Sequence, residues 1–236
     1  MNICKNCNSQ TDGDYCSNCG HPVKLNKIDK SYVAHEINNT LFTDKGFFYT
    51  TVKILSSPGD SVKHYITEDR SRYVKPVTYL IITSLILTLI SHFLKIDYIP
   101  QFKTTEPHIM QHLQKWIMEN KGYVTIMIDL FMAFWIRLVF RKSDYNLFEV
   151  FVLMCYLSGV KALFLSVAII VQAMIPANIL PILIFVSTIY TFWGIGQFFD
   201  KKKATSYLKA VLAFLLGIFI ITLIVAVVMF IGQIVR

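Results

Sequence analysis

The distribution of apolar positions divides the chain into three zones. Residues 1–22 are polar and cysteine-rich, residues 23–76 mix basic and apolar positions at helical spacing, and residues 77–236 are apolar nearly throughout. Within the last zone, runs of about the 20 residues needed to cross a ~30 Å hydrocarbon layer fall near 77–94, 123–140, 148–175, 179–199 and 207–235. The pattern predicts an all-α membrane protein, a five-helix transmembrane bundle behind a small head. Pro176 and Pro181 leave a second reading of 148–199, as a re-entrant hairpin, although its length suits two crossings and a tight turn.

In the middle zone Val33, Ile37, Leu41 and Phe42 recur at helical spacing, and Phe47, Phe48, Thr51, Ile54 and Leu55 repeat the habit. Two amphipathic, membrane-proximal helices are expected. Ser57-Pro58-Gly59-Asp60 reads as a turn, with Ser61 capping a third short helix that carries Val62, Tyr65 and Ile66. Their apolar faces either bed into the headgroup boundary while basic residues meet anionic lipid, or pack as a small bundle on the span ends.

Composition sharpens this picture. A 54% hydrophobic content with only 16% charged residues excludes an ordinary soluble domain. The net charge of +8 points to nucleic acid or anionic lipid, and the placement of the charges favours lipid. Lys and Arg cluster before the first span, after the second (Arg141, Lys142) and after the fourth (Lys201, Lys202, Lys203, Lys209), whereas the 95–122 loop balances its lysines with acids and Pro176-Ala177-Asn178 carries no charge. Because cytosolic loops collect positive charge, the expected orientation in the inner cell membrane is N-terminus cytosolic and C-terminus outside. The first thirty residues lack the pattern of a secretory signal.

Cysteines in a reducing compartment point to metal rather than disulfides. Cys4-x2-Cys7 and Cys16-x2-Cys19 lie close enough in sequence for one hairpin to gather four thiolates round a tetrahedral Zn2+. Asn8 and Gly20 tolerate the turns that follow each pair, and Asp12-Gly13 supplies a reversal between them. Such a site is closed and therefore structural. With one Lys and no Arg in residues 1–20, the ribbon is expected to meet a protein partner and no nucleic acid. Cys155, alone in an apolar run, reads as a small core hydrophobe.

Charged residues inside spans are costly and count as functional candidates. Arg137 is near enough to a span end to snorkel. Asp129 and Lys161 both fall about 9 Å from the outer face by helical rise. They are expected to form an interhelical ion pair, or else to face a water-filled cavity or a partner subunit. Pro107 opens an interfacial helix with Ile109, Leu113, Trp116 and Ile117 on one face. His108 and His112 are a weak metal pair, and His35-Glu36 lacks the second His of a zinc-protease helix. Gly159, Gly194, Gly196 and Gly217 suit close helix packing, and no phosphate-loop or dinucleotide fingerprint is present.

The Cys ribbon followed by Asp44-Lys45-Gly46-Phe47, Thr51, Leu55, Pro58-Gly59, Tyr65, Arg70, Tyr73 and Lys75-Pro76 resembles an uncharacterised bacterial membrane family that joins a zinc ribbon to this signature. The resemblance spans roughly the first hundred residues and implies no activity. A five-span layout behind a soluble head is also similar in topology to Yip-type membrane-trafficking proteins. The leading functional expectation is a non-enzymatic membrane scaffold or adaptor whose ribbon presents a cytosolic docking surface. The alternative is a small transporter or channel with Asp129, Lys161 and Arg137 along a polar path. A lipid enzyme needs a nucleophile or general acid at interfacial depth with a partner at useful spacing, and the sequence offers none.

Overall fold

The computed structural model describes residues 2–3, 7, 9–11, 16–19, 46–96, 108–175 and 179–234. Apart from one two-residue strand pair, every regular element among them is helical: α1 (Phe47–Ser56), α2 (Pro58–Thr67), α3 (Pro76–Leu94), α4 (His108–Glu119), α5 (Lys121–Val139), α6 (Leu147–Met174), α7 (Leu180–Asp200) and α8 (Ala204–Ile234). Helices α3, α5, α6, α7 and α8 are long and apolar enough to cross a membrane. Their bounds lie within about three residues of the expected ones at nearly every end, the scatter with which helix termini are defined. The expected helix through Val33 and Phe42 lies outside the described residues.

α6 is the central helix. It is the most buried of the spans, with buried residues from Val150 to Ile169, and α3, α5 and α7 pack on it while α8 closes the back between α5 and α7. Asn146 and Glu149 begin it with a reciprocal cap: the Glu149 N–H donates to Asn146 Oδ1 at 3.0 Å, and the Asn146 N–H to Glu149 Oε2 at 2.7 Å. The outer helices turn large apolar side chains away from the bundle. On α3, Val77, Ile81, Leu85, Leu89 and Phe93 form one exposed stripe at four-residue spacing. Such a stripe suits the lipid-facing side of a span.

Lipid is as apolar as a leucine core, so burial between spans adds little and association rests on close packing and hydrogen bonds. The glycines sit where this requires them. Tyr79 of α3 lies over Gly159 of α6, Leu157 fills the space beside Gly194, Tyr207 covers Gly196, and Met132 meets Gly217. At the end where α5, α7 and α8 meet, Phe140 stacks on Phe199 with ring centres 3.8 Å apart, and Tyr145 lies 4.3 Å from Phe198.

α1 and α2 dock on this same end. Phe47, Thr50 and Ile54 of α1 are buried against the bundle, whereas Phe48, Val52 and Leu55 on its other side are exposed. The helix therefore packs on the span ends with one face, the second of the two arrangements the sequence left open, and leaves an apolar face outward on the other. Hydrogen bonds fix the dock. Tyr190 of α7 donates to the Ile54 carbonyl at 2.6 Å, Tyr156 of α6 donates to the Val74 carbonyl at 2.7 Å, and Thr51 shares a bond with Tyr79 at 3.1 Å. Burial pushes the Tyr73 phenol, beside Tyr49 and Tyr65 in this cluster, up to about 12.

One expectation is corrected here. Ser57-Pro58-Gly59-Asp60 is not a free-standing turn, because α2 begins at Pro58 itself, where a missing N–H costs nothing. Ser61 lies inside the helix, and its hydroxyl donates to the Lys53 carbonyl at 2.8 Å. The Gly59 N–H donates to the buried Gln197 Oε1 of α7 at 2.8 Å. The backbones come so close that a Cβ on Gly59 sits 2.5 Å from the Gln197 carbonyl carbon. Gly59→Ala is therefore expected to lower stability by about 1–3 kcal/mol, the usual cost of overpacking. Gly122→Ala, with open space round its Cβ, should melt close to the parent in detergent. Equal melting temperatures for the two variants contradict the dock.

Candidate functional site

α3 packs on α6 but stands off from α5, and the gap between α3 and α5 is a cleft. It deepens into a cavity of about 370 Å³ lined by polar groups from three spans, among them Ser84 and Thr88 of α3, Thr125 and Asp129 of α5, and Ser158 and Lys161 of α6. A second cavity of about 330 Å³ shares Ser84, Thr88 and Gly122 with the first and is walled mainly by Leu80, Ile81, Leu85, Tyr123 and Ile126. A third, of about 540 Å³, continues past Thr88 and Gly122 to Ser91, His92, Lys95, Glu119 and Lys121 at the end of the bundle away from α1 and α2. All three share Thr88 and Gly122 in their linings.

Asp129 is at the floor, eight residues and thus about 12 Å into α5, and only 3% exposed. Its Oδ1 accepts a hydrogen bond from the Ser158 hydroxyl at 2.6 Å. Its Oδ2 is buried and has no partner among the described residues. Lys161 follows Ser158 by one turn of α6 and lines the same cavity, yet among the described residues it forms no ion pair with Asp129. The structure thus places both residues on one cavity without joining them. Ser158 was not picked out from the sequence. Its i, i+3 relation to Lys161, which puts both on one helical face, is the signal that could have found it.

Arg137, in the last turn of α5, donates to the Phe140 carbonyl at 3.2 Å, in the region where snorkelling was expected. Cys155 is fully buried in α6. Trp116 of α4 is exposed, and Ile117 reaches the cleft. The side chains of His108 and His112, and all of His35-Glu36, lie outside the described residues.

The second site is in the head. Strands β1 (Asn2–Ile3) and β2 (Gln10–Thr11) pair antiparallel, Asn2 with Thr11 and Ile3 with Gln10. The Sγ atoms of Cys7, Cys16 and Cys19 all lie within 4.8 Å of one another, and none is in a disulfide. The Cys7–Cys16 separation is 3.6 Å, close to the ~3.8 Å edge of a thiolate tetrahedron with 2.3 Å bonds. The set therefore fits a metal ion. The Ser9 hydroxyl lies 2.9 Å from Cys7 and 3.1 Å from Cys16. Chiefly through this contact, and through the backbone N–H groups of Cys19 and Asn18, the Cys16 thiol is drawn down to about 6. Cys4, Asn8, Asp12-Gly13 and Gly20 lie outside the described residues.

Residues 44–88 match a family described as "Protein of unknown function (DUF3667)". The matched segment comprises α1, α2 and most of α3, and it contains the signature noted above. Several signature residues have visible work in the dock. Gly46 adopts φ 109° at the start of α1 and its N–H donates to the Arg72 carbonyl at 2.9 Å. Phe47 packs on Tyr79 with ring centres 5.4 Å apart, Tyr65 packs on Tyr156 at 5.5 Å, and Lys75-Pro76 opens α3. No curated protein and no solved structure matches the chain.

Proposed function

We propose that this chain is a multi-pass membrane protein that takes up a small polar or amphiphilic solute in the cleft between α3 and α5, in the manner of a small transporter. The observation that carries this reading is that Asp129 and Lys161 line one cavity, while the buried Oδ2 of Asp129 has no partner among the described residues. A buried polar atom without a partner costs about 1–3 kcal/mol, and more if charged. A protein concerned only with holding its spans together has no use for that cost, and a leucine in place of Asp129 would pack as well. A bound solute supplies the missing partner. The reading places the basic end of the bundle in the cytosol, so that the cleft faces the outer side of the cell membrane. It needs no bond-making step.

The adaptor reading keeps one observation in its favour, the thiol cluster of the head. We propose that Cys4 joins Cys7, Cys16 and Cys19 around a single structural Zn2+, whose binding folds a head too small to have a core of its own. When bound, the ion supplies tetrahedral cross-linking and no open position for chemistry. A protein partner at the ribbon and anionic inner-leaflet lipid against the basic skirt complete this second role.

Two measurements separate these statements. With Cys introduced singly at Thr88, Thr125 or Leu212, a charged, membrane-impermeant methanethiosulfonate applied to vesicles of each orientation should modify the first two and spare the lipid-facing third. A Thr125 position as inert as Leu212 contradicts a cleft open to solutes. Elemental analysis of the purified full chain should give about one zinc per chain, lost in Cys16→Ser and Cys19→Ser. A metal-free chain with intact thiols contradicts the zinc assignment.

A further inference from the structure

Building on the cleft reading above, we infer that its occupant is a zwitterionic amphiphile with a primary-amine headgroup. The ammonium sits on Asp129, the neighbouring anionic group sits on Lys161, and the hydrocarbon part leaves sideways between α3 and α5.

Charge sets the first requirement. The cavity presents a carboxyl group and an amine that do not neutralise each other directly. A ligand of one charge sign compensates one of them and leaves the other buried and alone, which is strongly unfavourable. A ligand carrying both signs a few bonds apart satisfies the two together.

Hydrogen bonding sets the second. Asp129 Oδ1 is already engaged by Ser158, and the free Oδ2 is enclosed, so what it lacks is a directional donor. A primary ammonium brings three N–H donors. A quaternary ammonium brings the same charge and no donor, and its methyl groups would be pressed against a carboxylate oxygen.

The walls set the third. The cavity that adjoins the polar floor is mostly apolar, and its outer rim is formed by Ile81 and Leu85, which are 53% and 57% exposed and belong to the lipid-facing stripe of α3. A free hydrophilic solute gains nothing from that wall, whereas an acyl chain continues along it into the surrounding lipid. The volume of the floor, about 370 Å³, lies in the range of sites that enclose a small ligand and suits a headgroup better than a whole lipid.

The test uses the full chain purified in detergent, loaded with equal amounts of phosphatidylethanolamine, phosphatidylcholine and phosphatidylglycerol of identical acyl composition, with retained lipid counted by native mass spectrometry. Phosphatidylethanolamine should be retained about tenfold over either competitor. Asp129→Asn and Lys161→Met should each bring that preference to about twofold or less. Retention of phosphatidylcholine equal to phosphatidylethanolamine in the parent chain overturns the amine requirement without recourse to any variant. An unchanged preference in both variants overturns the site. Water-soluble O-phosphoethanolamine serves as the control for chain length. If it protects a Cys at position 125 from the methanethiosulfonate as well as the lipid does, the amphiphile inference fails while the cleft stands. If position 125 is never modified, the cleft itself fails.

Discussion

Inside a bilayer no water completes a hydrogen bond, so every polar group in a span must find its partner within the protein or in something the protein holds. This constraint orders the whole molecule. The five long helices satisfy their own backbones, and the serines and threonines along them return their hydroxyls to carbonyls of the preceding turn, as Thr83, Ser166 and Thr191 do. Tyr156 and Tyr190 carry their hydroxyls to the carbonyls of Val74 and Ile54, and Gln197 meets the N–H of Gly59. Each bond uses a polar group of a span to hold the docked segment. Two groups of α5 depart from the pattern among the described residues: Trp135 Nε1 is buried without a partner, and Asp129 has one oxygen bonded to Ser158 and the other buried without a partner.

The same rule explains why α1 and α2 matter to the bundle. Spans in lipid cannot rely on hydrophobic burial against one another, so a short helical pair, with the segment that leads from it to α3, bonded to α3, α6 and α7 at once works as a brace at their basic end. The Lys201–Asp60 pair, at 3.0 Å, adds a contact on the rim. Both of its groups are substantially exposed, so it contributes little to stability. At the other end α3 closes on itself, with Lys95 in the left-handed conformation and Ser91 bonded to the Ile96 carbonyl at 2.7 Å. No comparable brace joins α3 to α5 among the described residues, and the cleft opens there.

Much of the architecture was legible in the chain because lipid enforces a simple code. Long apolar runs and small residues at close crossings correspond directly to α3, α5, α6, α7 and α8 and to the contacts at Gly159, Gly194, Gly196 and Gly217. The role of Pro58-Gly59 was not legible, because a Pro-Gly pair reads locally as a turn. What decides the matter is Gln197, 138 positions further on, which accepts the Gly59 N–H and lets α2 begin at once. The cleft was half legible. Periodicity placed Asp129 and Lys161 at matching depth, but depth along an axis does not give rotation about it. The orientation of α5 and α6 brings Ser158 to the carboxylate and leaves Lys161 on the same cavity without an ion pair to it.

The account stands or falls on what occupies the space beside Asp129. Electron cryo-microscopy of the chain in nanodiscs of native lipid, with a bound antibody fragment for alignment, addresses it directly. The account predicts non-protein density against Asp129 and Lys161 that runs out between α3 and α5 past Ile81 and Leu85. A map in which Lys161 is swung onto Asp129, with α3 closed against α5 and no space between them, would contradict it.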